Sequence, residues 1–254
     1  MFVAQKSYVP FYERDLTRQS VHWLPLCCDP ASDRMTGARK IHEVCFVGTL
    51  DPHLNPRRVQ LIEELQKYLP LYVTTGDYVP VFNASKIVLN QSVKNDVNYR
   101  TFQAMACGSL LLTERVGNGL DDLFRDRRDL LLYEKDQVQE IIDLVRYYGA
   151  HDAEREAMAA EGRRVVLNAH TVTHRAQTIL ANLSLGNADR RVLLRKSHLA
   201  KICLLLKAVY QFAADASGLM RTASLLTSEA DRQLQGMQEK YASMSTLVGK
   251  YASR

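Results

Sequence analysis

Asn90, Gln91, Ser92, Asn95, Asp96 and Asn98 form a short run dense in side chains that hydrogen-bond hydroxyl groups, the chemistry a sugar ligand requires. Arg100 and Gln103 follow directly and add a cation and an amide. A second set, Gly48 and Thr49 with Arg57 and Arg58, suits a diphosphate. Glycine lets the backbone approach closely, while arginine and a helix N-terminus attract anions. Adjacent arginines at a helix start also make an ordinary solvated face, and spacing alone does not choose between the two readings. Metal chemistry finds no support. Cys27 and Cys28 are adjacent without a C-x-x-C or a Cys/His partner at zinc spacing, and His170 and His174, four apart on an expected helix, lack the glutamate of H-E-x-x-H. Neither a metal nor a cofactor is expected.

These groups need a scaffold, and the stretch from Asn83 to Glu114 supplies it in the order strand, polar loop, short helix, glycine turn, strand. Ile87, Val88 and Leu89 make the first strand. Arg100 opens the helix that carries Phe102, Ala104, Met105 and Ala106. Gly108 ends it before the strand Leu110, Leu111, Leu112. The loop after the first strand then lies at the carboxyl edge of a parallel sheet, where open α/β sheets bind ligands. Upstream, Glu43 to Leu50 reads as a buried strand turning at Gly48, followed by a helix from Arg58 to Tyr68 and a strand from Leu71 to Thr74 that ends at Gly76. Downstream, Gly117 and Gly119 sit in a loop before a short acidic helix, a strand from Leu130 to Tyr133, a helix from Val138 to Tyr148 and helical sequence to residue 183. Strands that alternate with helices predict an α/β, Rossmann-like domain with a mostly parallel sheet over residues 41–183.

The segment RTFQAMACGSLLLTE resembles the R-x-F-E-x-M-A-C-G-x-L-L-L-T segment of CgeB-like (spore-maturation type) glycosyltransferases. The likeness extends more loosely over FVGTLDPHLNPRR, SKIVLNQSVKNDVN, GLDDLFRDRRDLLLY and HTVTHR, and so over residues 1–183. It implies a single GT-B half-domain, the carboxyl-terminal half that binds a nucleotide-diphosphate sugar. Residues 1–40 would then be a remnant of the amino-terminal GT-B domain and the linker. On this reading the Gly48 turn, Thr49 and Arg57 or Arg58 hold the diphosphate, and Gln103 faces the ribose. Asn95, Asp96 and Asn98 lie near the sugar, and Arg100 neutralises the leaving phosphate. Two departures stand out. The family usually has Glu where this chain has Gln103, and the two glutamates of the broader retaining GT-B pattern would fall on Asn95 and Gln103. The alternative is therefore a non-catalytic nucleotide-sugar-binding or protein-interaction module of the same descent. No general base can be named from the sequence.

The 254 residues, 46% hydrophobic and 24% charged, suffice for one good core and an appendage. Five cysteines, odd in number and irregularly spaced, read as buried thiols and predict a reducing cytoplasm. The N-terminus lacks a basic flank followed by an apolar core, and no apolar run approaches the roughly 20 residues of a membrane span. Charge divides the chain unevenly. Residues 184–254 carry eleven Lys/Arg against five Asp/Glu, while residues 1–183 carry twenty-two against twenty-three. The tail is expected to be helical, with an apolar face over Leu199, Ile202, Cys203, Leu206, Val209 and Tyr210 and a short heptad-like stripe from Leu234 to Tyr251. Its expected partners are a second copy, a separate amino-terminal GT-B half, an acidic protein or an anionic membrane surface. Nothing basic and aromatic is clustered in the α/β part, so nucleic acid is not expected as a ligand there.

Overall fold

In the computed structural model, residues 1–15 and 20–182 are described. They belong to a compact unit, Met1–Leu183; the tail that follows, with its expected helices, lies outside the described residues. The chain begins with β1 (Phe2–Val3), a 3-10 turn at Lys6–Tyr8, α1 (Val9–Asp15) and β2 (His22–Trp23). Then come β3 (His42–Val47), α2 (Pro56–Gln66), β4 (Leu71–Thr74), α3 (Tyr78–Asn83), β5 (Ser85–Asn90), α4 (Tyr99–Ala106), β6 (Leu110–Glu114), α5 (Leu120–Leu123) and β7 (Leu131–Tyr133). Three helices, α6 (Val138–Ala150), α7 (Asp152–Ala169) and α8 (Val172–Ala181), complete the described unit.

Strands β4-β3-β5-β6-β7 form one five-stranded sheet in that order, every neighbouring pair parallel. The expected α/β fold with a mostly parallel sheet is what forms. Parallel strands need crossovers, and helices on both faces then bury both sides of the sheet. The side chains follow a strict period of two. Val44, Phe46, Ile87, Leu89, Leu110, Leu112, Leu131 and Tyr133 face one layer with Leu61, Ile62 and Leu65 of α2 and Ile141, Ile142 and Val145 of α6. Cys45, Val47, Val88, Leu111, Leu130 and Leu132 face the other, with Phe82 of α3, Phe102 and Met105 of α4 and Val166 of α7. Burial of one such large apolar side chain stabilises the fold by roughly 1.5–3 kcal/mol before entropy is counted.

Local chemistry sets the boundaries. Pro56 opens α2, where its fixed φ suits the first helical position, two residues before the expected Arg58 start. Gly108, at φ 79, takes the left-handed turn after α4. Helix α3 was not expected from the sequence; it is capped by Asp77, whose side chain accepts the Val79 amide at 3.1 Å. His170 and His174 do not share a helix. α7 ends at Ala169, His170 caps it, and Thr171 begins a new capping box for α8, so the two rings are not stacked by one helical turn.

The segment before β3 is fastened to the sheet domain rather than free. β1 and β2 pair in parallel as a separate two-stranded sheet. Lys6 meets Asp122 at 2.8 Å, the Ser7 amide donates to Asn118 Oδ1 at 2.8 Å, and the Trp23 ring packs on Gly119, where a Cβ would come within 2.6 Å of the indole. A few residues further on, Arg175 of α8 donates to the carbonyls of Pro25 at 2.6 Å and Leu26 at 3.0 Å, while Cys28 and Thr171 form a parallel bridge. Among the described residues no helix is long and apolar enough to cross a membrane.

Candidate functional site

Sheet order reverses its direction of growth between β3 and β5, which opens a crevice beyond the carboxyl ends of those strands. A cavity of about 410 Å³ lies there. Gly48 and Thr49 after β3, Thr75, Gly76 and Tyr78 after β4, and Asp96, Asn98, Tyr99, Arg100 and Gln103 after β5 line it, with Arg58 reaching in from α2.

Two guanidiniums dominate its electrostatics. Arg58, 7% exposed, donates to Gln91 Oε1 at 3.0 Å, to the Gln91 carbonyl at 3.1 Å and to the Thr49 carbonyl at 3.4 Å. Arg100 donates to Asn90 Oδ1 at 2.6 Å. All these acceptors are neutral; among the described residues neither cation forms an ion pair with a carboxylate. Both pack against the buried Phe46 ring, with guanidinium carbons 5.4 Å and 5.0 Å from its centroid. Such contacts contribute about 0.5–2 kcal/mol each and help hold charges that water no longer solvates. Desolvation, followed by repulsion from Arg58, lowers the Arg100 pKa to about 10, and desolvation lowers that of Arg58. An anion bound between them would relieve both penalties.

The remaining groups are arranged around this pair. A Cβ on Gly48 would come within 2.7 Å of Arg100 Nη2 and 3.1 Å of the Phe46 ring, so a side chain there would push the Arg100 guanidinium aside. Asn98 occupies the N-cap of α4, yet its side chain makes no capping hydrogen bond. Its Nδ2 donates instead to Asn90 Oδ1 at 3.2 Å, and its buried Oδ1 has no partner. The helix thus keeps first-turn amides free of a side-chain cap beside Arg100, a position that favours negative charge. Asp96 accepts from Ser92 Oγ at 2.8 Å, and Gln103 donates through Nε2 to Tyr78 Oη at 2.8 Å.

Of the residues selected from the sequence, Gly48, Thr49, Arg58, Asp96, Asn98, Arg100 and Gln103 meet in this cavity. Arg57 and Asn95 do not line it. Arg57 makes a two-pronged pair with Glu114, at 2.7 and 3.1 Å, and a third bond to Asp136 at 2.6 Å. Asn95 is exposed in a left-handed turn at φ 55, and its carbonyl accepts from Asn118. Tyr78 and Phe46 went unrecognised as parts of the site. Phe46 reads as one more apolar strand residue, and its place two before Gly48 is the signal that could have found it. Among the described residues no group of three or more His, Cys, Asp or Glu could hold a metal ion.

Solved structures share this fold at low identity. A sucrose-phosphate synthase from Thermosynechococcus elongatus superposes with a TM-score of 0.54 at 14% identity, covering 76% of this chain and 58% of that one. Anabaena Alr3699/HepE in complex with UDP-glucose gives a TM-score of 0.58 at 11% identity, covering 72% of this chain and 63% of its own. The S. aureus TarM G117R mutant, in complex with fondaparinux, alpha-GlcNAc-glycerol and UDP, gives 0.56 at 9% identity, covering 71% and 43%. The architecture is that of one half of a GT-B glycosyltransferase, and the chain spans less than two thirds of the length of these relatives. No curated protein matches the sequence. Residues 53–181 match the glycosyl transferase-like family, and the chain belongs to it.

Proposed function

We propose that this chain is the donor-binding half of a glycosyltransferase and holds a nucleotide-diphosphate sugar in the β3/β5 crevice. The observation that carries the reading is the pair Arg58 and Arg100, desolvated, flanking Phe46, facing a shared cavity and hydrogen-bonded directly to neutral acceptors alone among the described residues. Diphosphate oxygens supply the missing negative charge, with the N-terminus of α4 adding its amides. Asp96 and Gln103, which line the cavity, offer acceptors for the hydroxyls of such a ligand. When the bond from sugar to diphosphate breaks, charge accumulates on the leaving phosphate, so the Arg100 and Arg58 contacts strengthen toward the transition state. The complex of Alr3699/HepE with UDP-glucose supports this ligand class. The RTFQAMACGSLLLTE segment supports the narrower CgeB-like assignment. Cys28, Cys45 and Cys107, buried and unpaired, support a reducing compartment such as the cytoplasm. The acceptor site belongs to a second Rossmann-like half.

Calorimetry tests the reading. UDP or GDP should release or absorb measurable heat on binding, and Arg58→Ala with Arg100→Ala should weaken it at least tenfold, since each charge-assisted bond contributes roughly 1.5–3 kcal/mol. Absence of heat and of thermal shift at millimolar nucleotide diphosphate overturns it. One observation favours a second reading, a non-catalytic sugar-nucleotide module: residue 103 is an amide already hydrogen-bonded to Tyr78, so no carboxylate charge is present there. Binding without any hydrolysis or transfer of a bound UDP-sugar, with a second Rossmann-like half present, selects that reading.

A further inference from the structure

Tyr78 Oη stands between two partners. Its one proton goes to Asp33 Oδ1, 2.7 Å away, because a carboxylate only accepts. Its oxygen must therefore accept from Gln103, whose Nε2 lies at 2.8 Å. Asp33 cannot turn away: it is 4% exposed, and its other oxygen accepts the Asp29 amide at 2.8 Å. Burial and the bond to Asp33 together raise the Tyr78 pKa above the ordinary phenol range, which keeps the proton on the phenol. Direction is thus imposed from the Asp29–Asp33 turn outward. Gln103 gives its side-chain nitrogen to Tyr78 and leaves its side-chain oxygen Oε1, which has no protein partner among the described residues, for the cavity it lines.

We propose that Asp33 and Tyr78 are positioning residues that fix the polarity of residue 103, and that glutamine stands there because Asp33 has already taken the Tyr78 proton. A glutamate at 103 would meet only lone pairs on Tyr78 Oη, and two carboxylates would compete for one hydrogen. Glutamine satisfies the relay and still presents an acceptor to the ligand. The inference rests on the donor-sugar reading of the cavity: the group recognised is a hydroxyl donor, from the ribose or from the transferred sugar.

Four proteins decide it: the parent, Gln103→Glu, Asp33→Asn, and the double variant. An asparagine at 33 turns its single side-chain oxygen toward the Asp29 amide and its NH2 group toward Tyr78, to which it donates, so Tyr78 turns its proton toward residue 103. Without ligand, Gln103→Glu should lower Tm by on the order of 2–4 °C in the parent and leave it unchanged in the Asp33→Asn background. Equal losses in both backgrounds overturn the proposal. With ligand, Asp33→Asn should weaken binding several-fold, because Gln103 flips and shows its NH2 group to the cavity, and the double variant should recover the parent affinity. A weaker affinity of Asp33→Asn for UDP assigns the hydroxyl to the ribose, whereas a loss confined to UDP-glucose assigns it to the sugar; pyrophosphate, which has neither, should not respond. No change with either nucleotide, in a parent that binds both, overturns the proposal. A parent that binds neither defeats the donor-sugar reading alone, since the Tm comparison still judges the relay.

Discussion

Arg57 and Arg58 are neighbours in sequence with opposite roles, and the reason is the roughly 100° of rotation between consecutive helical residues. Arg58 turns toward the crevice and finds neutral oxygens, whereas Arg57 turns toward the ends of β6 and β7 and finds Glu114 and Asp136. The sequence showed two arginines at a helix start and could not rank them, because the carboxylates that claim Arg57 lie far along the chain. Their substitutions should separate cleanly. Arg57→Ala leaves the buried Glu114 carboxylate unpaired and should cost about 1–3 kcal/mol in chemical denaturation, with little effect on nucleotide affinity. Gly48→Ala should do the reverse. Its new methyl displaces the Arg100 guanidinium, so calorimetry should report weaker nucleotide diphosphate binding with Tm almost unmoved.

Strands were the most legible elements. β3, β5, β6 and β7 are apolar on both faces, and continuous apolar runs bounded by glycine and polar loops announce buried parallel strands. Helix α3 was not legible: six residues with a proline inside carry no helical period, and its formation depends on the Asp77 cap and on Phe82 packing beneath the sheet. That omission hid Tyr78, and with it the partner of Gln103. The histidine pair failed for a related reason, since spacing of four says nothing about a helix break at Thr171. Close packing between elements gives a further expectation. Gly162 of α7 lies against the chain entering β7, where a Cβ would fall 2.2 Å from the Asp129 carbonyl oxygen. Gly162→Ala should therefore push α7 off the sheet and destabilise by about 1–3 kcal/mol despite alanine's better helix propensity, a loss that thermal melting would register.

His170 joins three parts of the described unit: it caps α7, packs on Phe102 and Phe124 with ring centroids 5.8 Å and 5.1 Å away, and accepts from Arg175 at 2.9 Å. Desolvation, then the Arg175 and His174 charges, lower its pKa from 6.5 to about 4. Between those values the unfolded chain binds the proton that the folded one refuses, so stability rises with pH there. The contribution is complete above about pH 6.5 and is lost as pH falls toward 4. His170→Gln keeps an acceptor for Arg175 and does not titrate, so its Tm against pH should be flatter than the parent's over that window; parallel curves would show that His170 is not the source. The same junction has a mechanical consequence. Cys28 donates to the His170 carbonyl at 3.0 Å and accepts from the Val172 amide at 2.9 Å, so the segment entering the sheet domain and the one leaving it run side by side. A pull applied to the chain between Trp23 and Pro25 and beyond Arg175 loads the two hydrogen bonds of that junction and the Arg175 clamp first, and the five strands, enclosed within the loop they close, feel no tension until those bonds have parted.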